Sequence, residues 1–537
     1  MNKTKINDWI KYFPFSKPRK EQEEAINWIC DQLNNGYRKI IVELGTGVGK
    51  SAIAVTVGLW LENKEKHITE FNHGATVLTS QKILQDQYVN DFEVAKDLRS
   101  ASNFKCTGPL NGTCGQTSRI RKAVGPELSN EKLRCNKCPY RQAKDSFVAS
   151  NVGITNYSYF LSEASYAGEI PPRRLLVLDE CHNLEDEVRR WTAFEISEHE
   201  ASKLGEDIFE AEGNEIEWLE NKYKIALEKK LLSSSKKFKK LVESDSLSGE
   251  SVSSLAAEAD LQDKNLCQVN RLLGKGGKLL VSWHDNKKNN TKSIKFQPLE
   301  ITELANDILY SKASAILMMS ATLLSKSVFC KSVGLDENST PFLNIPSPFA
   351  DSAFGVVLKS AGRMNISNIE KSIKNYPAII NEILQKNINQ KGIIHTINYK
   401  ICNALEAELG SNTRLLFQKS AADREGILRY HLESTEPTVI VSPSMMEGLD
   451  LRDDFGRFQI ICKVPYPELS DPIIKHKAKE WYNWRTIRTL VQAIGRSVRN
   501  ENDWTKTYIL DLCFLDLLEK AYDMFPSHLK NNISVEE

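Results

Sequence analysis

Short apolar runs alternate along the chain with longer amphipathic segments. Each run has the length of a buried strand, and several are followed by a turn and a helical pattern. Continuous apolar strands that alternate with helices are typical of parallel sheets covered on both faces. The runs fall into two sets, so the pattern predicts two α/β domains. The predicted strands are Lys39–Glu43, Ala75–Thr79, Leu175–Leu178 and Ala315–Met319 in the first set, and Gly392–His395, Thr438–Val441, Phe458–Cys462 and Tyr508–Asp511 in the second.

Two stretches interrupt this pattern. Residues Cys106–Cys138 hold four of the eleven cysteines in a segment rich in Asn, Gly, Lys and Arg. Residues Glu185–Pro298 are polar and mostly helical in pattern, with thirteen acids against three bases over Glu185–Glu220 and eight bases against one acid over Asn221–Lys240. A solvated helix face is the default interpretation of such a charge pattern.

The polar stretch contains three local signals. Apolar residues keep helical spacing across the charge switch. A Ser-rich segment at Glu243–Ser254 predicts an exposed loop, and the runs Lys278–His284 and Thr291–Phe296 predict a hairpin. The helically spaced residues are Ile216, Leu219, Tyr223, Leu227 and Leu231.

Length and charge narrow the class of protein. The 537 residues suffice for about three or four domains, each with its own core. Lys and Arg number 71 against 70 Asp and Glu, a net charge of +1, which excludes a uniformly basic DNA-coating protein and an acidic disordered one. Any nucleic-acid site must therefore concentrate its positive charge locally.

Targeting signals and cysteine usage indicate the compartment. The first residues lack a secretory pattern, and the longest apolar runs, Ala52–Leu61 and Ala315–Leu324, have about half the length of a membrane span. Clustered thiols in such a chain suggest a metal site in a reducing compartment more than disulfides. We expect a soluble, cytoplasmic, monomeric protein without a membrane partner, associated with the nucleoid if bacterial and in the host cytoplasm if viral.

A glycine-rich loop follows the first predicted strand and precedes an apolar helix. Glycines let a backbone curl around an anion, and the helix begins with its positive dipole end at the phosphates. The lysine would reach the β- and γ-phosphates, and the serine hydroxyl would bind Mg²⁺. The string departs from the strict phosphate-loop pattern at its first position; it is Leu44-Gly45-Thr46-Gly47-Val48-Gly49-Lys50-Ser51.

An acidic pair ends another buried strand. Asp179 follows the run Leu175–Leu178, and Glu180 comes next. At the carboxyl end of a strand, Asp179 would hold the Mg²⁺ shell and Glu180 would orient and deprotonate the attacking water. Together with the glycine-rich loop, the pair predicts an ATP hydrolysis site.

The acidic pair opens an Asp-Glu-x-His tetrad, Asp179–His182, which with the phosphate loop resembles superfamily 2 helicases. Further motifs of these helicases follow in order along the chain. They are the DNA-contacting segment Thr79–Gln87, the Ser-Ala-Thr motif Ser320-Ala321-Thr322, the segment Glu447-Gly448-Leu449-Asp450, and the Gln-x-x-Gly-Arg-x-x-Arg motif Gln492–Arg499.

Other segments are similar to the XPD/DinG-like subfamily, over roughly Arg19 to Phe514. They are Leu175–Leu184, Ile345–Phe349, Glu447–Leu451, Lys463–Pro467, Asn156-Tyr157 and Cys135–Tyr140. This resemblance implies two RecA-like parallel-sheet motor domains, with an iron–sulfur insert and a mostly helical, arch-like insert in the first. The expected boundaries are 1–95, 149–186 and 305–345 for motor domain 1, 96–148 for the iron–sulfur insert, 187–304 for the arch-like insert and 346–537 for motor domain 2.

The resemblance also implies roles for residues of the nucleotide site. Guanidinium groups of the second domain would contact the γ-phosphate, so that two lobes close on ATP between Lys50 and Arg496. His182 would couple the ATP site to the Ser-Ala-Thr motif by hydrogen bonds. An adenine-edge contact is expected from Gln22 with Arg19 nearby. Further nucleotide-site residues are Gln492, Arg496, Arg499, Glu447, Gly448 and Asp450.

Four cysteines lie between the phosphate loop and the acidic pair: Cys106, Cys114, Cys135 and Cys138. Four thiolates can hold a [4Fe–4S] cluster or Zn²⁺, and the spacing alone leaves both open. The flanking residues resemble iron–sulfur members of the subfamily, which favours the cluster over zinc. The other seven cysteines are scattered, and buried packing is the default expectation for them.

The implied function is an ATP-dependent DNA helicase that moves 5′→3′ on single-stranded or forked DNA. Base stacking on aromatic rings, with phosphates held by hydroxyls, amides and cations, would give a sequence-tolerant grip. The expected DNA contacts are Gln81, Asn156, Tyr157, Tyr159 and Ser444. Single-strand-binding or repair proteins are expected partners. Two alternatives remain open: an RNA or RNA–DNA hybrid helicase, and a weakly catalytic DNA-binding module of a larger repair complex.

Overall fold

A computed structural model describes residues 8–65, 71–80, 82–105, 138–167, 170–243, 250–286, 291–349, 353–446, 451–498, 500 and 503–536. The chain divides into two compact units. The first comprises residues 1–42, 50–320 and 330–343, and the second comprises residues 43–49, 321–329 and 344–537. The phosphate loop therefore belongs to the second unit, whereas the helix after it belongs to the first.

Strands are numbered in chain order. They are β1 (Lys39–Leu44), β2 (Asn72–Thr79), β3 (Ala95–Asp97), β4 (Val152–Asn156), β5 (Arg173–Asp179), β6 (Phe194–Ser197), β7 (Leu279–Asn286), β8 (Thr291–Pro298), β9 (Ala313–Ser320), β10 (Phe342–Ile345), β11 (Phe354–Gly362), β12 (Gly392–His395), β13 (Leu415–Phe417), β14 (Val439–Ser442), β15 (Phe458–Ile461), β16 (Thr505–Asp511) and β17 (Ile533–Glu536).

Helices are numbered in the same way. They are α1 (Lys20–Asn34), α2 (Lys50–Lys64), α3 (Lys82–Asp91), α4 (Pro139–Ala149), α5 (Tyr157–Ser162), α6 (Leu184–Thr192), α7 (Glu198–Lys203), α8 (Glu215–Trp218), α9 (Lys224–Glu243), α10 (Glu250–Lys275), α11 (Thr302–Ile308), α12 (Lys326–Val333), α13 (Ile369–Ile373), α14 (Tyr376–Lys386), α15 (Tyr399–Leu409), α16 (Arg424–Glu433), α17 (Pro472–Lys475), α18 (Lys479–Ile494), α19 (Cys513–Lys520) and α20 (Ser527–Lys530).

The first sheet has seven strands in the order β10-β1-β9-β5-β2-β4-β3. Strand β2 runs parallel to β4 and β5, and β5 runs parallel to β9. Every residue of β5 is buried, as expected for a strand covered on both faces. The apolar run Ala52–Leu61 lies in α2, and a Cβ added at Gly58 would come within 2.7 Å of the Ala75 Cβ. Glycine thus permits a close approach between α2 and β2.

The second sheet also has seven strands, in the order β13-β14-β12-β15-β16-β11-β17. The strand pairs in this sheet are parallel. Successive residues of one strand enter different hydrophobic clusters, with Val356 and Leu358 in one and Val357 in the other. Because strand side chains alternate between faces, both faces of this sheet are covered. The predicted architecture of two parallel-sheet α/β domains is confirmed, and a strand occurs at each of the eight predicted runs.

The arch-like stretch contains a third sheet, of order β6-β8-β7, and the long helices α9 and α10. Strands β7 and β8 pair antiparallel, which confirms the predicted hairpin. Leu219, Tyr223 and Leu227 are buried in one cluster, whereas Ile216 is 43% exposed. The predicted Ser-rich loop is wrong over residues 250–254, where α10 has begun, because serine is also favoured at helix starts. The predicted boundaries of domains and inserts stay predictions.

No helix within the described ranges is both long and apolar enough to cross a membrane.

Candidate functional site

Close packing and backbone geometry explain the glycines of the phosphate loop. Gly47 and Gly49 have φ of +92° and +89°, a region that favours glycine over residues with a side chain. A Cβ at Gly45 would overlap the backbone of Ser347, and one at Gly47 would overlap the ring of Phe349. The segment Ile345–Phe349 therefore needs glycine at two loop positions.

Within the second unit, the same segment also forms hydrogen bonds with the phosphate loop. The Gly45 N–H donates to the Ile345 carbonyl at 2.9 Å, and the Ser347 hydroxyl donates to the Thr46 carbonyl at 2.8 Å. The Val48 side chain is fully buried. The sequence flagged Ile345–Phe349 only by resemblance, and the structure shows it to be the support of the phosphate loop.

The acidic pair meets the loop lysine in the first unit. Lys50 Nζ lies 3.8 Å from Glu180 Oε1, and the Glu180 N–H donates to Asp179 Oδ1 at 3.0 Å. Burial, and then the charge of Glu180, raise the pKa of Asp179, while Lys50 opposes that rise. Glu180 has φ of +52°, which is uncommon for a residue with a side chain and is often found at functional sites. Two adjacent carboxylates favour the binding of a divalent cation.

Tyr88, on α3, is a neighbour of this pair that the sequence did not single out. Its side chain is 1% exposed, and burial followed by the charge of Asp179 raises the Tyr88 pKa well above its ordinary value. Tyr88 directly follows the segment Thr79–Gln87 in the same helix, and its phenol is near enough to Asp179, the predicted Mg²⁺ ligand, for that charge to act on it. No motif marked this residue, because only the packing of α3 against the sheet brings it near Asp179.

His182 joins the acidic pair to Ser320 in the first unit. The His182 Nδ1 lies 2.8 Å from the Ser320 hydroxyl and 3.3 Å from Glu180 Oε2. Both side chains are buried, at 5% and 0% exposure. The structure thus places His182 in contact with both Glu180 and Ser320, the first residue of the Ser-Ala-Thr motif, and the coupling role expected of His182 stays a prediction.

The next motif residues meet in the second unit. Gln492 Nε2 donates to the Thr322 hydroxyl at 3.1 Å, directly after Ala321. Arg496 lies in the 3-10 turn Gly495–Ser497 and is half-buried. Burial lowers the pKa of His395 to about 4, and the charge of Arg496 contributes to that shift. The imidazole near Arg496 is therefore neutral at physiological pH.

Arg19 and Gln22 form the start of α1. Gln22 Oε1 accepts the Arg19 backbone N–H at 2.9 Å, as part of a capping box. A capping box gives hydrogen-bond partners to backbone N–H groups at the start of a helix. The Gln22 side chain is 6% exposed. Gln22 thus has a structural role, and its contact with adenine stays a prediction.

A pocket of about 540 Å³ lies beside the DNA-contacting segment in the first unit. Its walls combine hydroxyls, amides, cations and one large half-buried aromatic ring, Trp191. These are the groups that hold single strands without regard to sequence. The lining residues are Ser80, Lys82, Arg99, Ser100, Ser102, Asn103, Asn156, Tyr157, Ser158, Tyr159, Ser162, Glu187, Arg190 and Trp191.

Burial corrects the part expected of two aromatic residues in this pocket. The rings of Tyr157 and Tyr159 are 1% and 8% exposed, too little for bases to stack on them. Their hydroxyls donate to the Asp179 carbonyl at 3.0 Å and to Glu163 Oε1 at 3.2 Å. These rings pack α5 against the sheet, whereas Trp191, which no motif marked, is a half-buried ring in the pocket wall.

Asn156 and Ser444 are held by their own hydrogen bonds. Asn156 Oδ1 accepts the Tyr159 N–H at 2.8 Å and so caps α5. In the second unit, the exposed Ser444 donates its hydroxyl to Gln418 Oε1 at 3.0 Å, and Ser442 donates to the same oxygen at 2.6 Å. Gln418 is fully buried and was not anticipated.

Several predicted residues lie outside the described residues: Gln81, Cys106, Cys114, Cys135, Glu447, Gly448, Asp450 and Arg499. Cys138 is described and is buried at the start of α4. Within the described part of the chain, no group of three or more His, Cys, Asp or Glu is placed to hold a metal ion. Six of the seven scattered cysteines are buried, and Cys267 is half-buried.

Comparisons with known proteins agree with this geometry. The family described as Helicase C-terminal domain matches residues 383–532, and the family described as Type III restriction enzyme, res subunit matches residues 15–205. The ATP-dependent DNA helicase DinG of Photobacterium profundum is 21% identical, with 92% of this chain and 93% of that protein covered. The ATP-dependent DNA helicase YoaA of Escherichia coli is 20% identical, with 95% and 93% covered.

The fold comparison gives a solved structure of similar architecture. A solved structure titled XPD_Helicase matches with a TM-score of 0.62 at 16% identity, covering 97% of this chain and all of that one. The chain therefore shares the fold of this structure over nearly its whole length. Its sequence is similar to those of the DinG and YoaA helicases over more than nine tenths of each chain.

Proposed function

We propose that this XPD/DinG-like protein is an ATP-dependent DNA helicase, which couples ATP hydrolysis to separation of DNA strands and moves 5′→3′. The observation that carries the proposal is the link from Glu180 through His182 to Ser320. A chain that only hydrolysed ATP has no need to connect its water-activating carboxylate to a second motif. A helicase does, because hydrolysis has to reach the DNA-binding surface.

The first α/β domain supplies the hydrolytic groups. Lys50 binds the β- and γ-phosphates, Glu180 orients and deprotonates the attacking water, and Ser51 with Asp179 holds Mg²⁺. When bound, Mg²⁺ neutralises charge on the phosphates. The raised pKa of Asp179 supports this assignment, because a buried carboxylate beside another carboxylate gains from a nearby cation.

The second α/β domain supplies the groups that sense the γ-phosphate. Arg496 and Arg499 offer permanent, planar cations. Loss of the γ-phosphate after hydrolysis would remove the anion that these guanidinium groups bind. Gln492 and Thr322, hydrogen bonded to each other, pass this change to the Ser-Ala-Thr segment. The remaining nucleotide contacts proposed for this lobe are Glu447, Gly448 and Asp450.

Single-stranded DNA runs through the 540 Å³ pocket of the first unit. Trp191 stacks a base, while Ser80, Asn156 and Arg190 contact phosphates and sugars. Removing one stacking ring typically costs about 1–3 kcal/mol of binding, so Trp191→Ala weakens single-stranded DNA binding about 5- to 100-fold. Trp504→Ala is the matched control, because the Trp504 ring is 42% exposed but lies in the second unit beside Arg457.

The decisive experiment measures ATP hydrolysis and strand separation on matched DNA and RNA forks. We expect hydrolysis stimulated by single-stranded DNA and separation of DNA forks with a 5′ single-stranded tail. Hydrolysis that ignores added DNA overturns the helicase proposal. Separation of RNA or RNA–DNA forks, with DNA forks untouched, favours the RNA alternative.

The four clustered cysteines, Cys106, Cys114, Cys135 and Cys138, are proposed to bind a [4Fe–4S] cluster. The burial of Cys138 at the start of α4 and the resemblance of its flanks support this. A bound cluster would also help to fold a segment that has few apolar residues. The test is a visible absorption spectrum of anaerobically purified protein with iron and zinc quantified. A colourless protein loaded with zinc overturns the cluster assignment and leaves the ATP site unaffected.

A further inference from the structure

The Ser-Ala-Thr motif runs directly into a strained turn. Leu324 has φ of +66°, and the Ser325 N–H donates to the Leu323 carbonyl at 2.8 Å. These features define a three-residue γ-turn with positive φ at its centre, a conformation that is rare and strained for a residue with a side chain. Such a turn persists only where its surroundings hold it.

A buried carboxylate holds this turn. Glu43 Oε1 accepts the Leu323 N–H at 2.7 Å and the Leu324 N–H at 2.8 Å. Glu43 is 7% exposed and lies in β1, two residues before Gly45. Burial raises the Glu43 pKa, and the two N–H donors oppose that rise. The turn and the strand that leads into the phosphate loop therefore share one acceptor.

Helix α18, which contains Gln492 at the start of the Gln-x-x-Gly-Arg-x-x-Arg motif, also contacts this turn. The indole N–H of Trp484, which is 1% exposed, donates to the Leu323 carbonyl at 2.6 Å. Further along α18, Gln492 donates to Thr322. Leu324 also packs against the hydrophobic cluster that contains Ile487 and Leu490. Three consecutive residues after Ala321 are thus fixed by Glu43, Trp484 and Gln492.

We propose that Glu43 is a positioning residue of the motor, which sets the Ser-Ala-Thr segment relative to the phosphate loop through the strained turn. This inference rests on the proposed helicase function. Glu43 does not touch ATP or water in this scheme. Its carboxylate oxygen fixes two backbone N–H groups, so that closure or opening at the nucleotide is transmitted to Ser320–Thr322 as a defined displacement rather than lost in a flexible turn.

The test compares Glu43→Ala with Glu43→Gln in the full chain. Both changes remove the charge, but the glutamine keeps a carbonyl oxygen that can accept both N–H groups. For Glu43→Ala we expect base pairs separated per ATP hydrolysed to fall about tenfold, the loss expected when buried donors lose their acceptor, with KM for ATP nearly unchanged. Glu43→Gln should keep at least about half of the wild-type coupling.

Hydrogen exchange of the Leu323 and Leu324 amides gives a readout that does not depend on activity. Glu43→Ala should accelerate their exchange about tenfold or more, and Glu43→Gln should not. Trp484→Phe, which removes only the N–H donor, should lower coupling in the same direction and by less. The matched control is Glu65→Ala, because Glu65 is 8% exposed and pairs with Arg38 at the opposite end of β1.

The outcomes separate the two proposals. A wild-type protein without DNA-stimulated hydrolysis refutes the helicase function, while the exchange data still report on the turn. An active wild type with equal coupling in Glu43→Ala overturns the positioning role. Equal losses in Glu43→Ala and Glu65→Ala, with equal falls in melting temperature, also overturn it, because the effect is then general destabilisation. Recovery in Glu43→Gln alone supports it.

Discussion

The two seven-stranded sheets have similar parallel architecture but different chemistry at the carboxyl ends of their strands. At the first sheet, Asp179 ends β5 and Glu180 follows it, and Lys50 lies within 3.8 Å of Glu180. At the second sheet, Ser442 ends β14, and both Ser442 and the nearby Ser444 donate to the uncharged acceptor Gln418. The end of β5 thus concentrates charge beside a lysine, whereas the end of β14 presents neutral hydrogen-bonding groups. The second sheet also carries a buried carboxylate, Asp511, at the end of β16.

This difference indicates how one fold can serve two tasks. Charged groups in low-dielectric surroundings interact strongly and suit phosphoryl transfer. Neutral hydroxyls and amides bind a polar backbone with little desolvation cost and suit repeated attachment and release. Ligand sites of parallel sheets lie at the carboxyl ends of strands, so both tasks use the corresponding edge of each sheet.

The largest expected effect comes from removing charged groups at the carboxyl edge of the first sheet. Lys50→Ala and Glu180→Gln should each lower the ATP hydrolysis rate by about 10³-fold or more, because each removes a group that acts on the transferred phosphate or the attacking water. Single-stranded DNA binding should persist in both variants. Lys64→Ala is the control, since Lys64 ends the same helix and pairs with Asp8 at the surface. Coupled phosphate-release and DNA-binding assays check this, and normal hydrolysis in Glu180→Gln contradicts it.

The second prediction uses low pH to destabilise the fold of the second unit. Burial lowers the pKa values of His395 and His431 to about 4 each. The unfolded chain binds these protons near pH 6.5, so stability is full above that pH and is lost as pH falls toward 4. At pH 5 we expect a loss of about 2 kcal/mol for each histidine. Urea unfolding of wild type and His431→Gln at pH 7 and pH 5 measures it, and an unchanged pH slope in the variant argues against it.

The third prediction compares the effects on stability of replacing two glycines of the second unit by alanine. Gly47→Ala should lower stability by about 2 kcal/mol and weaken ATP binding, because φ is +92° and the new methyl overlaps the Phe349 ring. Gly426→Ala should instead raise stability by about 0.5–1 kcal/mol, since a Cβ there meets nothing within 4 Å and the residue lies inside α16. Thermal melting with and without nucleotide compares the variants, and equal effects contradict the packing argument.

The smallest expected effect concerns Ser444, close to the end of β14 in the second sheet. Ser444→Ala removes one exposed hydroxyl and should weaken single-stranded DNA binding by about 1 kcal/mol, with ATP hydrolysis in the absence of DNA unchanged. Fluorescence anisotropy with a labelled single strand measures the loss. A fall in DNA-free hydrolysis would instead assign Ser444 to the nucleotide site.

The fold could be predicted well where strands are buried on both faces. Runs such as Leu175–Leu178 and Gly392–His395 are apolar throughout, and the structure has β5 and β12 there. Short strands or edge strands gave weaker signals: β3 and β13 have three residues each, and β17 keeps only partly buried or exposed side chains. The Ser-rich prediction failed because serine is favoured both in loops and at the first turn of a helix.

The candidate site could be predicted where a local string carries the chemistry. The phosphate loop and the pair Asp179-Glu180 require glycines or acids at fixed spacing, so one segment suffices to identify them. Glu43 and Tyr88 could not be found in this way. The partners of Glu43 are Leu323 and Leu324, far away in sequence, and only the folded chain brings them together. The buried rings of Tyr157 and Tyr159 were likewise invisible to motif spacing.

The position of β1 in the first sheet constrains how the protein is made. Strand β1 lies between β9 and β10, although both follow it by hundreds of residues in the chain. During translation, the nascent β1 therefore has no neighbour until the ribosome has synthesised the cysteine-rich and helical stretches and released β9. The phosphate loop is then completed only after β9 and β10 have been synthesised, so a truncated polypeptide that lacks these strands is not expected to hydrolyse ATP.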